Sequence, residues 1–232
     1  MFGSDGMPLG AMTGGRLANT AALLARMGLP VTMASEAAAD AVGDTVVSYL
    51  AEAGVLTRSI DRFTEGRTPV TIFMPDAEGR MQPTRYESYS DDCFDIIWPE
   101  ISEGDIVVFG GYYAIDRRMR RRLLPLLQNA SERKAILIYL PGYLPQQEPR
   151  ITRVMPAILE NLELAQMVCT RSRDLQLIFS TADAAACWRN HISFYCPAML
   201  NVDASAGSVT YFSAQGTDTL DVPLSECGSL VW

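Results

Sequence analysis

Apolar residues recur at helical spacing near the start of the chain. Leu17, Ala21, Leu24 and Met27 are three or four residues apart, and Gly28 follows them as a stop signal. Such spacing places the apolar side chains on one face of a helix, so the pattern predicts a helix over residues 16–28.

The next two segments predict a strand and a second helix. The run VTMAS (31–35) indicates a short strand, and DTVVSYLAEAG (44–54) has an amphipathic helical pattern. Asp44 is the expected N-cap of that helix and Gly54 its expected end. The first 55 residues therefore predict the order helix, strand, helix.

A hairpin pattern follows at residues 67–90. The sequence RTPVTIFMPDAEGRMQPTRYESYS contains two apolar or alternating runs around the turn PDAEG, with Gly79 at the tight position. Polar residues decorate both runs, which favours a flap or lid with one exposed face.

Strand-like and helix-like segments alternate from residue 105 onwards. Apolar runs with turn residues between them predict strands at 105–111, 134–140, 166–169, 192–202, 207–216 and 219–223. Helical patterns are expected at 116–130, where Pro125 should bend or split the helix, at 151–161, and at 173–179 and 181–190. This alternation predicts a mostly parallel sheet covered by helices on both faces, with the hairpin at one edge.

Composition and charge exclude several classes of protein. The net charge is −8, and a nucleic-acid partner would need a basic face, so none is expected. No apolar run approaches the length of a membrane span, and the first residues lack the pattern of a secretory signal. One basic run, RRMRRR (117–122), is open to two interpretations: a solvated helix face, or a patch that faces phosphate or a partner.

The thiols and the histidine do not form a metal-binding pattern. The five cysteines are widely spread with no C-x-x-C pair, and the single histidine is His191. Zinc sites need clustered ligands, so no metal ligand is assigned and the cysteines are expected to be reduced thiols of a cytoplasmic protein. His191 is interpreted as a surface or capping residue.

The paired glycines ahead of the first helix are the main candidate for a binding site. Gly14 and Gly15 would let a ligand approach the backbone, and the helix behind them offers unpaired N–H groups. Asn19, one turn further, both donates and accepts hydrogen bonds. On these residues alone, a site for a small polar ligand and a purely structural glycine turn are both open.

A wider set of residues resembles the ribokinase-like (PfkB) family of sugar and nucleoside kinases. The shared features within residues 14–55 are the glycine pair, Asn19, Ala21, L-A-R-M-G at 24–28, D-x-x-G from Asp40 to Gly43, and L-x-x-x-G-V from Leu50 to Val55. Further on, TPVTIFMPDAEGR resembles the lid strands of the family, DIVVFGG the strand that follows, and residues 207–223 a late hairpin.

The resemblance implies a fold, a reaction and a set of site residues. The implied fold is one domain over 1–232, an α/β/α three-layer sandwich with a small β-strand lid at about 61–90 and its C-terminal part missing. The implied reaction transfers the γ-phosphoryl group of ATP, with Mg²⁺, to a hydroxyl of a sugar or nucleoside. The implied acceptor-site residues are Gly14, Gly15, Asn19 and Asp40, and Gly207 is the implied nucleotide-binding residue.

The sequence also departs from the family pattern. The family's late Asp-Thr-x-Gly-Ala-Gly-Asp segment supplies an anion hole and the catalytic base, whereas this sequence ends in DVPLSECGSLVW and contains no G-A-G-D. Arg171 and Asp174 replace the family's N-x-x-E, and Asp203 replaces a glycine of the nucleotide loop. We therefore expect no catalytic residue in this chain, and we expect the family's first strand to precede residue 1.

Three functional hypotheses follow. The first is a PfkB small-molecule kinase represented without its catalytic Asp and anion-hole segment. The second is a catalytically inactive sugar- or nucleoside-binding or regulatory pseudokinase. The third is an unrelated α/β protein with a chance glycine pair. The expected partners are a small sugar or nucleoside and a second copy of the chain, which would pair through the lid to form a homodimer.

Overall fold

The computed structural model describes residue 7 and residues 10–88 and 94–222 of the chain. The chain divides into two compact units, residues 1–99 and 100–232. Each unit has a hydrophobic core of its own. Residues 223–232 lie outside this description. They include the last residue of the strand expected at 219–223 and the whole segment PLSECGSLVW.

The described residues of the first unit form two helices and four strands. These are α1 (Arg16–Arg26), β1 (Ser35–Ala38), α2 (Ala41–Glu52), β2 (Ile60–Phe63), β3 (Arg67–Pro75) and β4 (Met81–Ser88). β1 and β2 are parallel, and β3 and β4 form a separate antiparallel hairpin. Alanines of α1 and β1 pack with Leu50 and Val55 to form a small core that leaves little room between helix and strand.

Two predictions for this unit are wrong in position. The segment VTMAS is not a strand: Thr32 makes only one parallel bridge, to Leu56, and β1 begins at Ser35. Helix α2 begins at Ala41 and is capped by Asp40, so Asp44 is not the N-cap but lies in the first turn. β1 forms because its backbone pairs with β2, although its sequence SEAA has little strand character.

The predicted hairpin is confirmed. Its strands are β3 and β4, and Gly79 adopts a φ of 76° in the turn between them, a conformation that glycine reaches without strain. Asp76 closes this turn by accepting hydrogen bonds from the backbone N–H groups of Glu78 (3.0 Å) and Arg80 (2.8 Å). Every described residue of β4 is exposed.

The second unit is an α/β layer built on one sheet. Its strands are β5 (Ile106–Gly111), β6 (Ile136–Pro141), β7 (Met167–Arg171), β8 (Ala198–Asp203), β9 (Ser208–Ser213) and β10 (Gly216–Asp221). Its helices are α3 (Arg117–Glu132), α4 (Ile151–Leu164), α5 (Ser172–Phe179) and α6 (Ala184–Asn190).

The six strands lie in the sheet in the order β10-β9-β8-β7-β6-β5. β5 to β8 are parallel, and β9 and β10 add an antiparallel end, which confirms the predicted mostly parallel sheet. Buried residues such as Leu137, Tyr139 and Val168 join the sheet to the flanking helices. Within residues 10–88 and 94–222, no helix has both the length and the apolar character needed to cross a membrane.

Two predictions for this unit are narrowed by the structure. Helix α3 continues through Pro125 without a break, so the proline does not split it, and the alternative, a bend at Pro125, stays a prediction. The strand expected at 192–202 is confined to β8, because residues Ile192–Phe194 form a short 3-10 turn and Pro197 precedes the first strand residue. Proline cannot donate to a sheet ladder and is tolerated at the beginning of a strand.

Candidate functional site

The glycine pair forms an open start to α1. Gly15 is the N-cap, with a φ of 112°, and it offers no side chain to the first turn. Its carbonyl oxygen accepts a hydrogen bond from the backbone N–H of Asn19 at 2.9 Å. Gly14 and Gly15 are both exposed, and a Cβ added at Gly14 would meet nothing within 4 Å. The backbone here is therefore accessible to a ligand.

The side chain of Asn19 is available for binding. It is half-buried, and its amide makes no hydrogen bond to another described residue. The first turn of α1 carries no acidic residue that would neutralise the positive end of the helix. The structure thus brings together an exposed glycine backbone and an amide with donor and acceptor capacity, which suits a ligand hydroxyl.

Asp40 is engaged within the chain. Its Oδ1 accepts hydrogen bonds from the backbone N–H of Gly43 (2.8 Å) and from Oγ1 of Thr68 (2.8 Å). Its Oδ2 accepts one from the backbone N–H of Thr68 (3.0 Å). These hydrogen bonds, first of all the one from the Thr68 backbone, lower the pKa of Asp40. Asp40 acts as a helix cap that ties α2 to the beginning of the hairpin, and its contact with a ligand stays a prediction.

Thr68 is a positioning residue that the sequence analysis missed. Its Oγ1 also accepts a hydrogen bond from the backbone N–H of Ala38 at 3.0 Å, so one hydroxyl joins the end of β1, the cap of α2 and the first residues of β3. Thr68 is buried, whereas most of β3 is not. The only signal in the sequence was a threonine directly after the turn that opens the hairpin.

Gly43 explains why D-x-x-G contains a glycine. A Cβ at this position would overlap the carbonyl oxygen of Ala38 and would lie 2.8 Å from Oγ1 of Thr68. The next residue, Asp44, pairs with Arg62 at 2.5 Å, and Arg62 also donates to the carbonyl oxygen of Ala38 at 3.0 Å. Both carboxylates of this loop are therefore bound to partners inside the first unit.

Arg171 and Asp174 form a closed pair at the carboxyl end of β7. The Arg171 guanidinium donates from Nη2 to Oδ1 of Asp174 (2.9 Å) and from Nε to Oδ2 (3.1 Å). The backbone N–H of Arg171, the N-cap residue of α5, also donates to Oδ2 at 2.9 Å, so the Asp174 carboxylate satisfies this N–H at the start of the helix. The Asp174 side chain is only 4% exposed, so its carboxylate is largely shielded from solvent.

Asp203 is the last residue of β8, and Gly207 lies in the turn between β8 and β9. Asp203 accepts hydrogen bonds from the backbone N–H groups of Ser205 (3.0 Å) and Ala206 (3.0 Å) and from the hydroxyl of Ser205 (2.6 Å). These bonds, led by the one from the Ser205 hydroxyl, lower its pKa. The carbonyl oxygen of Gly207 accepts from the backbone N–H of Val222 (2.7 Å). Gly207 thus belongs to the second unit and the glycine pair to the first.

The described residues do not offer a ready metal site. They contain no group of three or more histidine, cysteine, aspartate or glutamate side chains that could hold a metal ion. Divalent cations such as Mg²⁺ are bound by carboxylate oxygens that still have lone pairs to give. The carboxylates nearest to the carboxyl ends of β7 and β8 are those of Asp174 and Asp203, and both accept several hydrogen bonds. Asp174, whose two oxygens both accept from the Arg171 guanidinium, therefore does not fit the Mg²⁺ that the family resemblance implied.

The basic run at 117–122 contains one buried arginine. Arg120 is only 12% exposed and pairs with Glu160 at 2.5 Å. It also donates to Oδ1 of Asn161 (2.5 Å) and to the carbonyl oxygen of Ala114 (2.6 Å). Arg120 therefore joins α3 and α4 to the turn after β5, whereas Arg121 and Arg122 are exposed as a solvated face predicts.

The side chains of Cys187 and His191 lie in surroundings that are typical of structural residues. Burial raises the pKa of the Cys187 thiol to about 12, and Cys169, Cys187 and Cys196 form no disulfide bond. The ring of the exposed His191 stacks on Phe179 with 4.9 Å between centroids. Both rings line an open groove of about 410 Å³ on the second unit, whose walls are mostly apolar. This groove does not include any predicted site residue.

A comparison with protein-family models gives a match over most of the chain. The model described as pfkB family carbohydrate kinase matches residues 9–192. No curated protein matches the chain.

Solved structures of kinases have the same fold. The fructokinase from Xylella fastidiosa with bound ATP has a TM-score of 0.70 and 21% identity, over 89% of this chain and 67% of that one. The apo fructokinase from Vibrio cholerae O395 has a TM-score of 0.78 and 14% identity, over 94% and 77%. The aminoimidazole riboside kinase from Salmonella enterica, complexed with aminoimidazole riboside and an ATP analogue, has a TM-score of 0.73 and 16% identity, over 90% and 68%. These similarities confirm the expected ribokinase-like α/β fold, a central sheet flanked by helices.

Proposed function

Because the chain belongs to the pfkB family of carbohydrate kinases, we propose that it binds a sugar or nucleoside at the start of α1. The proposed reaction of the protein transfers the γ-phosphoryl group of ATP to a hydroxyl of that acceptor. Gly14, Gly15 and Asn19 hold the acceptor, and Asp40 supports them by fixing the beginning of α2.

The observation that carries this proposal is the hydrogen bonding of the Asn19 side chain. Its amide has no hydrogen-bond partner among the described residues, although it is half-buried beside an exposed glycine backbone. A half-buried amide gains most from a ligand that both accepts and donates, and a sugar hydroxyl does both.

ATP is the proposed phosphoryl donor. The supporting facts are the family match and the ATP bound to the fructokinase of similar fold. Gly207 is the proposed nucleotide contact in this chain, in the turn that Asp203 closes. ATP supplies the phosphoryl group, and the chain's own residues orient the acceptor and exclude water from it.

A second function, binding without transfer, is favoured by the carboxylates of the described residues. Transfer needs a base near the acceptor hydroxyl and donors for the charge that develops on the phosphate. In the first unit, Asp40 and Asp44 are both occupied by partners within the chain. In the second unit Arg171 occupies Asp174. A sugar- or nucleoside-binding protein without kinase activity would need neither a base near the acceptor hydroxyl nor donors for the charge on the phosphate.

The proposal includes a homodimer formed through the hairpin. Val70 and Tyr86 are opposite each other in the β3–β4 register, and both are exposed at 39% and 60%. Met74 lies on the same face and is 42% exposed. A second copy would cover these apolar side chains. Light scattering tests this point: the mass of a dimer is expected for the wild type, and the mass of a monomer for Val70→Glu.

The binding proposal is tested by calorimetric titration with fructose, ribose and adenosine. At least one of these probes should bind the wild type, and Asn19→Ala should weaken it by about tenfold, the equivalent of one or two lost hydrogen bonds. Asn129→Ala, which removes an exposed amide from α3, is the matched control and should leave the affinity unchanged. Equal affinity of the wild type and Asn19→Ala would contradict the assigned site, and no binding of any probe would contradict the assigned ligand class.

Mass spectrometry separates the kinase from the binding protein. The probe that binds is incubated with the protein and ATP, and the mass of one added phosphoryl group is sought. A phosphorylated product identifies the kinase. Binding with no product identifies the second function.

A further inference from the structure

The carboxyl ends of β7 and β8 are next to each other in the sheet. Arg171, the last residue of β7, is opposite Val202 in the parallel register, so Asp203 comes directly after its neighbour. Asp174 lies in the first turn of α5, which begins where β7 ends. Two carboxylate residues thus follow neighbouring parallel strands at the edge of the sheet where α/β proteins bind ligands.

The guanidinium of Arg171 already donates hydrogen bonds to the carboxylate of Asp174. Each carboxylate oxygen of Asp174 accepts from a different guanidinium nitrogen, and Oδ2 accepts a backbone N–H as well. A cation at Asp174 would have to displace the guanidinium, and the N-terminus of α5 would lose part of its cap. Such a bidentate pair is a strong interaction between charged groups.

Asp203 commits one of its two carboxylate oxygens, Oδ1, to the chain. Three donors from Ser205 and Ala206 converge on its Oδ1 and hold the turn between β8 and β9. A cation bound here would compete with the hydrogen bonds that shape the turn.

We infer that Asp174, at the carboxyl end of β7, binds no divalent cation, because Arg171 serves within the chain as its counter-ion. The inference does not depend on which acceptor binds at α1. The guanidinium of Arg171 supplies positive charge at this edge of the sheet. Its pairing with Asp174 at the start of α5 holds it in place.

Manganese is the probe for the test, since Mn²⁺ takes the same oxygen ligands as Mg²⁺ and is visible by electron paramagnetic resonance. The wild type and Asp174→Asn are titrated with Mn²⁺ alone, without sugar or nucleotide, so the outcome is separate from that of the proposed function. The two proteins should bind Mn²⁺ equally or not at all. Loss of an organising group at a metal site lowers affinity by about tenfold or more, and a fall of this size in Asp174→Asn overturns the inference.

A second measurement applies to the wild type, because Asp174→Asn removes a buried cap and could impair folding. Bound Mn²⁺ broadens the NMR signals of nearby protons. The Nε–H signal of Arg171 should broaden no more than that of Arg80, an arginine in the hairpin turn. Selective broadening of the Arg171 signal at low Mn²⁺ places a cation beside Asp174 and overturns the inference.

Discussion

Thr68 and Asp40 are joined by two hydrogen bonds, one from the threonine backbone and one from its hydroxyl. The same hydroxyl accepts from the backbone N–H of Ala38. The beginning of the hairpin is therefore attached both to the N-cap of α2 and to the end of β1. This attachment fixes the base of the hairpin, while β4 has only exposed residues.

Thr68→Val is expected to destabilise the protein by about 1–3 kcal/mol, because it leaves the buried N–H of Ala38 without its acceptor and removes one donor from Asp40. Valine has nearly the same shape, so packing changes little. Thr71→Val, three residues along β3, is the control and should change the free energy of unfolding much less. Urea unfolding measures both, and equal effects would show that the hydroxyl of Thr68 contributes nothing.

The contribution of Asp40 to stability should depend on pH. Hydrogen bonds, first of all the one from the Thr68 backbone, hold the pKa of Asp40 in the folded state below its usual value of 3.8, so the contribution is complete above that value and is lost as the pH falls through the folded-state pKa. Asparagine can still cap a helix, so Asp40→Asn should fold. The difference in unfolding free energy between the wild type and Asp40→Asn should be constant near neutral pH and shrink below pH 3.8. A difference that is the same at all pH values would refute the role of the ionised carboxylate.

Gly43→Ala should destabilise the first unit by about 1–3 kcal/mol, the usual cost of overpacking. The added Cβ would overlap the carbonyl oxygen of Ala38, which belongs to the backbone and cannot rotate away. Val42→Ala, at the exposed preceding position of the same helix, is the control and should be nearly neutral. Thermal unfolding compares them, and a neutral Gly43→Ala would mean that β1 and α2 can separate at no cost.

Arg120→Met should cost about 2–3 kcal/mol, since the fully buried Asn161 would lose the donor to its Oδ1 and Glu160 would lose its partner. Glu160 is 45% exposed, so solvent offsets part of the loss. Arg121→Met removes an exposed charge from the same helix and should have a small effect. Denaturant unfolding measures the free energy of unfolding of both variants. Similar losses of this free energy would show that the hydrogen bonds of Arg120 are no stronger than those to water.

The hydrophobic pattern along the chain predicted the elements whose own sequences carry a clear strand signal. β5 and β6 are continuous apolar runs, and the hairpin has alternating runs around a glycine turn, so both were predicted correctly. β1 was misplaced because SEAA forms a strand only through its pairing with β2, and no local signal reports a partner that is distant in sequence.

Two glycines and an asparagine mark the proposed acceptor site in the sequence, and their contact with a ligand stays a prediction. Side chains that pair over long distances carry no such signal. Asp40 and Thr68 are 28 residues apart, and Arg120 and Asn161 are 41 apart. The substitutions at Arg171 and Asp174 were visible in the sequence, whereas their mutual hydrogen bonds required coordinates. Asp44 was mistaken for the cap because both it and Asp40 are acidic and precede the apolar positions of α2.

The strand order of the second unit has a consequence for synthesis on the ribosome. Each strand from β6 to β10 pairs with the one made just before it. A nascent strand therefore meets a partner that has already emerged, and pairing between strands that follow each other along the chain keeps the sequence separation of contacts low, which favours rapid folding. The sheet can grow by one strand at a time as translation proceeds, so this half of the protein is suited to folding while the polypeptide is still being made.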